Sequence, residues 1–154
     1  MAAHPTITPA LCYLNPRAAL DFLQRAFGFE LDMLIEDEAG NVAHSQMAFG
    51  DGRIMVGTEW SENHRSPQSI GRKCTQTVHI QLTEDLDAHC ARARDAGAEI
   101  IAEPETQFYG DRTYRARDPE GHIWTFGQTV EVLTPEQWDK GTGLKTWVRE
   151  GSEG

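Results

Sequence analysis

A repeat with a period of 69 residues constrains the fold of this chain more than any other feature. Gly28-Phe29-Glu30-Leu31 matches Gly97-Ala98-Glu99-Ile100, and Gly52-Arg53-Ile54 matches Gly121-His122-Ile123. The offset is the same at both landmarks, because 97 − 28 and 121 − 52 each give 69, without a net insertion between them. Self-similarity at a fixed period indicates two copies of one structural unit. The chain is therefore expected to fold as two similar modules.

Each copy has the sequence pattern of a strand, a helix and three further strands. In the first copy, the side chains of residues 7–14 alternate between two faces, as in a strand. Asn15 and Pro16 then have the pattern of a helix start, and Gly28 is expected to end that helix. Strands are then predicted over 29–36, 42–49 and 53–58. The second copy predicts a strand over 76–83, a helix over 86–96, a strand over 99–102 and a hairpin over 107–128. An Asp-Pro-Glu-Gly turn at 118–121 joins the two arms of that hairpin.

These elements predict a division of the chain into four segments. The first module spans 6–60, a linker spans 61–74, the second module spans 75–130 and a C-terminal extension spans 131–154. Lack of periodicity predicts a flexible linker, and a capping box at Thr134 predicts a short helix in the extension. Trp138 and Trp147 are expected to dock the extension on the body, and the last residues to be frayed.

Composition excludes several classes of partner. The net charge is −10, which repels phosphate backbones and anionic lipids, so we expect neither nucleic acid nor membrane partners. No apolar run could span a bilayer, and the first residues lack the pattern of a secretory signal. The 3 cysteines, Cys12, Cys74 and Cys90, have no paired spacing. A cytoplasmic protein with free thiols is expected.

The chain from about residue 7 to residue 128 resembles the glyoxalase / bleomycin-resistance / dioxygenase group, the vicinal oxygen chelate superfamily. The resemblance depends on the residues at 26–30 and 96–99, and above all on Tyr109-Gly110-Asp111-Arg112 and Asp118-Pro119-Glu120-Gly121-His122-Ile123-Trp124. It implies an α+β fold in which two βαβββ modules form a cupped, eight-stranded mixed sheet with helices outside. It also implies that the cup holds a ligand and that the protein is a homodimer.

The resemblance further implies positions for metal ligands, which are His and Glu on the first and last strands of each module. In the first module these positions fall at 8–10 and at Met55 or Val56, where no such ligand is present. The second module offers His79 but has Thr125 where a Glu is expected. One filled position is fewer than the about three protein ligands of a catalytic metal. We expect no metal cofactor, with a divalent metal as the alternative; its fallback ligands would be His79, His44 and Glu59.

Strand alternation selects candidate ligand-binding residues in the second module. Val78, Ile80 and Leu82 alternate with His79 and Gln81, so the two polar side chains are expected to face the cup, with a structural role for His79 as the alternative. The same pattern directs Thr125 into the cup and Trp124 toward the helices. The predicted ligand-binding set consists of His79, Gln81, Tyr109, Arg112, Tyr114, Thr125 and His44.

The arginines near the hairpin have competing interpretations. Arg112 is read either as a ligand contact or as the partner of Asp111, whereas Arg115 and Arg117 are expected to form cross-strand ion pairs. Two functions remain open. The first is a protein that binds a small amphipathic or aromatic molecule, with the acidic balance favouring a cationic one. The alternative is a metal-dependent lyase, isomerase or ring-cleaving dioxygenase using His79 and His44. A metal-free isomerase is a third, so the sequence leaves open whether any reaction is catalysed.

Overall fold

The fold of the chain is known from a computed structural model that describes residues 4–151. The predicted α+β fold is confirmed, and its eight strands form two mixed sheets of four strands each. The first sheet has the order β1-β4-β3-β2, with bounds β1 Ala10–Tyr13, β2 Glu30–Glu36, β3 Val42–Phe49 and β4 Gly52–Thr58. The second has the order β5-β8-β7-β6, with bounds β5 Val78–Leu82, β6 Glu99–Thr106, β7 Asp111–Arg117 and β8 Ile123–Thr129.

Each module contains one principal helix. Helix α1 spans Pro16–Phe22 and continues into a π-helical turn over Leu23–Phe27, whereas α2 spans Leu86–Asp95. The first helix has one residue more than the second between its N-cap and the glycine after it, because 28 − 15 is 13 and 97 − 85 is 12. A π turn accommodates one extra residue in a helix. A short helix α3 spans Pro135–Asp139 and begins with the predicted capping box.

One face of each sheet packs on the helices, and both packed faces contribute to one core. In the second sheet Tyr114, Ala116, Trp124 and Phe126 are almost fully buried on this face. Phe27, at the end of the π turn, stacks between the modules, with its ring centroid 5.6 Å from Trp124 and 4.9 Å from Phe126. The opposite face of each sheet is therefore directed away from the core. We call this second surface the cup face.

A buried aspartate in the Asp-Pro-Glu-Gly turn joins the two modules. Asp118 is 2% exposed, and its carboxylate accepts hydrogen bonds from the Tyr13 hydroxyl at 2.6 Å and the Trp124 indole at 3.1 Å. It also accepts three backbone N–H bonds from residues 120–122. Burial of a charge is costly unless hydrogen bonds compensate it. Burial, together with the Asp118 charge, raises the pKa of Tyr13 well above its usual value, so its hydroxyl remains a donor. The motif is thus a structural connection.

Two neighbours of Asp118 extend this connection. The Glu120 carboxylate accepts hydrogen bonds from the N–H groups of Leu14 at 2.6 Å and Asn15 at 2.9 Å, next to the start of α1. It also accepts the Ser66 hydroxyl at 2.8 Å. His122 donates from Nε2 to the Cys12 carbonyl at 2.8 Å, so it has a structural role rather than a position on the open surface. These contacts tie the turn to both β1 and the linker.

The linker has more structure than its sequence indicates. It contains a 3₁₀ turn over Pro67–Ile70, and Ser66 is fully buried within it. The extension differs from expectation in another way, because Trp147 is 84% exposed and does not dock on the body. The tail predicted to be frayed falls partly on residues 152–154, which lie outside the described residues. Between residues 4 and 151, no helix has the length and apolar character to cross a membrane.

A second connection joins the two helices. Arg92 on α2 donates to the carbonyls of Arg25 at 2.9 Å and Gln24 at 3.0 Å, and His89 donates from Nε2 to the Phe27 carbonyl at 2.8 Å. The last carbonyls of a helix lack intrahelical partners, so these side chains satisfy them. Burial lowers the pKa of His89, and the neutral ring accepts the Tyr114 hydroxyl at Nδ1. The sequence had indicated no role for His89.

Candidate ligand-binding site

The cup face of the second sheet carries an ordered set of polar side chains. Ladder pairing places Arg115 of β7, Thr125 of β8 and His79 of β5 next to one another in one row. The next row contains Thr113, Gly127 and Gln81, which pair in the same way. Residues paired across a sheet share one face. The register therefore places His79, Gln81 and Thr125 on one face of the sheet, opposite the buried Trp124 and Phe126.

Hydrogen bonds connect four polar side chains on this face, namely His79, Gln81, Asp111 and Thr129. The Gln81 side-chain amide donates to Asp111 Oδ2 at 3.0 Å and to Thr129 Oγ1 at 3.2 Å. This orientation directs the Gln81 oxygen toward His79 Nε2, 2.9 Å away. Because an amide oxygen only accepts, His79 must carry its proton on Nε2. Its Nδ1 has no hydrogen-bond partner within the described part of the chain, so it can accept one from a ligand.

Gly127 makes room for this network. A Cβ built on it would lie 2.9 Å from Gln81 Oε1 and 3.1 Å from His79 Cε1, closer than ordinary contacts. The equivalent glycine of the first sheet is Gly57, where a Cβ would meet nothing within 4 Å. The absence of a side chain at Gly127 therefore allows His79 and Gln81 to lie across β8. Sequence analysis missed Gly127, Asp111 and Thr129, although strand alternation would have placed them on the same face as Thr125.

A cavity of about 390 Å³ lies over the outer strands of this face. Tyr109, Thr113, Arg115 and Thr125 contribute to its lining, together with Glu105 of β6. Tyr109, a member of the predicted ligand-binding set, is 38% exposed, and Phe108 packs edge-on against its ring. Arg115 donates from Nε to Thr125 Oγ1 at 3.3 Å, which directs its guanidinium over the central strand. The cavity thus combines an aromatic ring with charged and hydroxyl groups.

Two predicted ligand-binding residues lie on the other side of the sheet. Tyr114 is 1% exposed in the core, where its hydroxyl contacts His89, and burial raises its pKa far above the usual range. Arg112 forms an ion pair with Asp87 of α2 at 3.0 Å, not with Asp111. Successive side chains of a strand alternate between faces, so Tyr114 and Arg112 share the helix-facing side. The Arg112 side chain therefore does not lie on the cup face, and the Tyr114 ring is in the core although the residue also borders the cavity.

The first sheet has an equivalent row of different character. Met33, Gln46, Met55 and Ala10 pair side by side on β2, β3, β4 and β1. The repeat offset is 69 at Ala10 and His79 but 70 at Met55 and Thr125, because the β3–β4 turn is one residue shorter than the β7–β8 turn. The equivalent of Thr125 is thus Met55 and not Val56. His44 lies on this cup face beside Gln46, with 3.4 Å between their side-chain nitrogens.

The fallback metal ligands do not come together within the chain. His44 belongs to the first sheet and His79 to the second. The Glu59 carboxylate accepts hydrogen bonds from Arg65 at 2.8 Å and from Ser69, which lower its pKa and occupy its oxygens. Across residues 4–151, no three His, Cys, Asp or Glu side chains are grouped as a metal site. The residues present therefore do not fit the metal centre of His and Glu ligands that the superfamily resemblance implies.

The comparison with known families agrees with the fold. Residues 7–126 match the family model described as Glyoxalase/Bleomycin resistance protein/Dioxygenase superfamily. The chain belongs to this superfamily. The match ends before α3, so the C-terminal extension lies outside the superfamily region.

Solved structures of the superfamily fold give a similar picture. TioX from Micromonospora sp. ML1 is 31% identical, with a TM-score of 0.64, and the similarity covers 84% of this chain and 100% of TioX. TnmS3, an antibiotic binding protein from Streptomyces sp. CB03234, is 21% identical, covers 84% of this chain and 98% of its own, and has a TM-score of 0.63. At this identity TnmS3 supports the fold alone. An uncharacterized Mycobacterium tuberculosis protein, Rv0887c, is 28% identical over 137 residues, which are 86% of this chain and 79% of the relative.

Proposed function

We propose that this superfamily member binds a small amphipathic or aromatic molecule on its cup faces. The observation that carries the proposal is the network of His79, Gln81, Asp111 and Thr129 on an open surface beside a cavity. Polar groups held in fixed positions next to an aromatic ring are typical of a ligand site. The same fold has such a use in TnmS3, which is described as an antibiotic binding protein.

The two cup faces differ in a way that suits an amphipathic ligand. The row of paired residues on the first face contains Met33 and Met55. The equivalent row on the second face contains His79, Thr125 and Arg115. Methionine side chains are flexible and adapt to varied apolar surfaces. Because both helix-facing sides share one core, the cup faces of one chain are directed away from each other. We expect a homodimer in which a second copy brings an apolar face opposite a polar one.

An NMR titration with 2-naphthamide, a neutral aromatic probe, tests this proposal. Backbone amide shifts should change mainly in β5, β7 and β8, where the polar network lies. Changes confined to the C-terminal extension, or to α1 and α2, would contradict a ligand site on the cup face. Sedimentation equilibrium on the same sample should give a dimer. A monomer that still binds the probe would reject the two-copy cup but keep the second-sheet site.

A further inference from the structure

Two arginines of the cup face have no acidic partner. Six ion pairs are present within residues 4–151, and none of them includes Arg115 or Arg117, contrary to the cross-strand pairs expected from the sequence. Among the described residues, Arg115 makes one side-chain hydrogen bond, from Nε to the Thr125 hydroxyl. The Nε of Arg117 is buried and has no hydrogen-bond acceptor. Arg112 on the same strand is neutralised by Asp87.

Both side chains belong to the cup face. They alternate along β7 with Tyr114 and Ala116, which are buried against the helices. Arg115 lies in the row with Thr125 and His79, and it lines the cavity beside Tyr109. Arg115 therefore lies beside His79 of the polar network, and Arg117 lies on the same face one row further along β7, paired with Ile123.

Carboxylates are near these arginines along the sheet, yet they do not pair with them. Glu99 is the ladder partner of Arg117, and Glu105 lines the same cavity as Arg115. Neither pair has a nitrogen–oxygen distance within 4.0 Å. Glu103 pairs instead with Arg94 of α2. In a chain with 24 acidic residues, the structure leaves these guanidinium groups available to an anion from outside the chain.

We propose that the cup face recognises a carboxylate or another anionic oxygen group on its ligand through Arg115 and Arg117. This inference rests on the proposed function and assigns the charge of the molecule that it binds. A guanidinium group presents a planar fork of donors that matches two oxygens of an anion. Screening in physiological salt acts over about 8 Å, so the unpaired charges of Arg115 and Arg117 affect a ligand on this face more than the net charge of the whole chain does. The expectation of a cationic ligand, drawn from net charge, is thus replaced.

Calorimetric titration with three matched probes tests the inference: 2-naphthoate, neutral 2-naphthamide and cationic 2-naphthylmethylammonium. The natural chain should bind 2-naphthoate about tenfold more tightly than 2-naphthamide, since the carboxylate offers a negative charge and two oxygens to the guanidinium groups, whereas the amide offers one neutral oxygen. Arg115→Gln and Arg117→Gln should each remove most of that difference. Arg112→Gln removes the same charge from the opposite face of the same strand, so it should change neither affinity. Added salt should weaken 2-naphthoate alone.

The outcomes separate this inference from the proposed function. Equal affinity for 2-naphthoate and 2-naphthamide would overturn anion recognition and leave the aromatic site standing, as would tightest binding of the cationic probe. Failure of all three probes at millimolar concentration would overturn both. The probe comparison on the natural chain does not depend on the folding of any variant. Circular dichroism melting confirms the fold of each variant before its affinities are interpreted.

Discussion

Replacement of Gly127 by alanine should uncouple the polar network from the fold. The added Cβ would lie 2.9 Å from Gln81 Oε1, whereas ordinary contacts begin at 3.4 Å, so the amide must move by about 0.5 Å. Gln81 is exposed and can move, but its hydrogen bonds with Asp111 and His79 would lengthen or break. Each hydrogen bond is worth about 1 kcal/mol. If both are needed to hold the groups that orient the ligand, their loss weakens the binding free energy by about 2 kcal/mol, which is about 30-fold in Kd.

The assay compares the Kd of 2-naphthoate for Gly127→Ala and Gly57→Ala by calorimetry. Gly57 pairs with Cys12 as Gly127 pairs with Gln81, but a Cβ there meets nothing within 4 Å. Alanine offers about 0.5–1 kcal/mol over glycine in a strand; Gly57→Ala gains this, and in Gly127→Ala it partly offsets the lost hydrogen bonds, so both melting temperatures should stay within a few degrees of the natural chain. Equal Kd values for the two variants would refute the argument that the network positions the ligand.

Three further predictions test other parts of the structure. Asp118→Asn should lower the free energy of unfolding, measured in urea, by about 3 kcal/mol, because it weakens the hydrogen bonds to a charged carboxylate. Tyr13→Phe removes one of these bonds and should lower the same free energy by about 1–2 kcal/mol. Equal effects would contradict a central role for the carboxylate. Burial lowers the pKa of His89 in the folded state, so stability should fall as pH drops below about 6.5, and His89→Gln should flatten that dependence in melting curves at pH 7.5 and 5.0. Elemental analysis of purified protein should find no stoichiometric Zn, Fe, Mn or Ni, and His79→Ala should leave that content unchanged; a metal lost with His79 would restore the enzyme alternative.

The repeat made the architecture predictable from sequence. Glycine landmarks record turns and helix ends, which are local features, and Gly28 and Gly97 do follow the two helices with positive φ. The offset is not constant, because the β3–β4 hairpin is one residue shorter than the β7–β8 hairpin, which makes Gly52 equivalent to His122 and not to Gly121. A change of one residue in a strand reverses the face of every side chain after it. Direct strand pairing was needed to identify Met55 as the equivalent of Thr125.

The face of a side chain was predictable where the prediction followed strand alternation, and not where it followed residue type. His79 and Gln81 were assigned by their apolar neighbours and lie on the cup face. Tyr114 and Arg112 were assigned because their chemistry suits ligands, yet both face the helices. Arg115 shows the reverse error, since an ion pair was assumed where the structure has none. The roles of Asp118 and His89 depend on partners far away in sequence, which local patterns do not reveal.

The connection through the Asp-Pro-Glu-Gly turn affects how the chain can be synthesised. Tyr13 lies 105 residues before its partner Asp118, and Cys12 lies 110 residues before His122. Domains fold during synthesis as their parts emerge from the ribosome, and long-range contacts slow folding. The N-terminal strand must therefore wait, with its tyrosine and backbone groups unpartnered, until almost the whole superfamily region has left the exit tunnel. Translation pauses before residue 118 would prolong that exposure, whereas pauses within the C-terminal extension would give the contacts of Tyr13 with Asp118 and of Cys12 with His122 time to form.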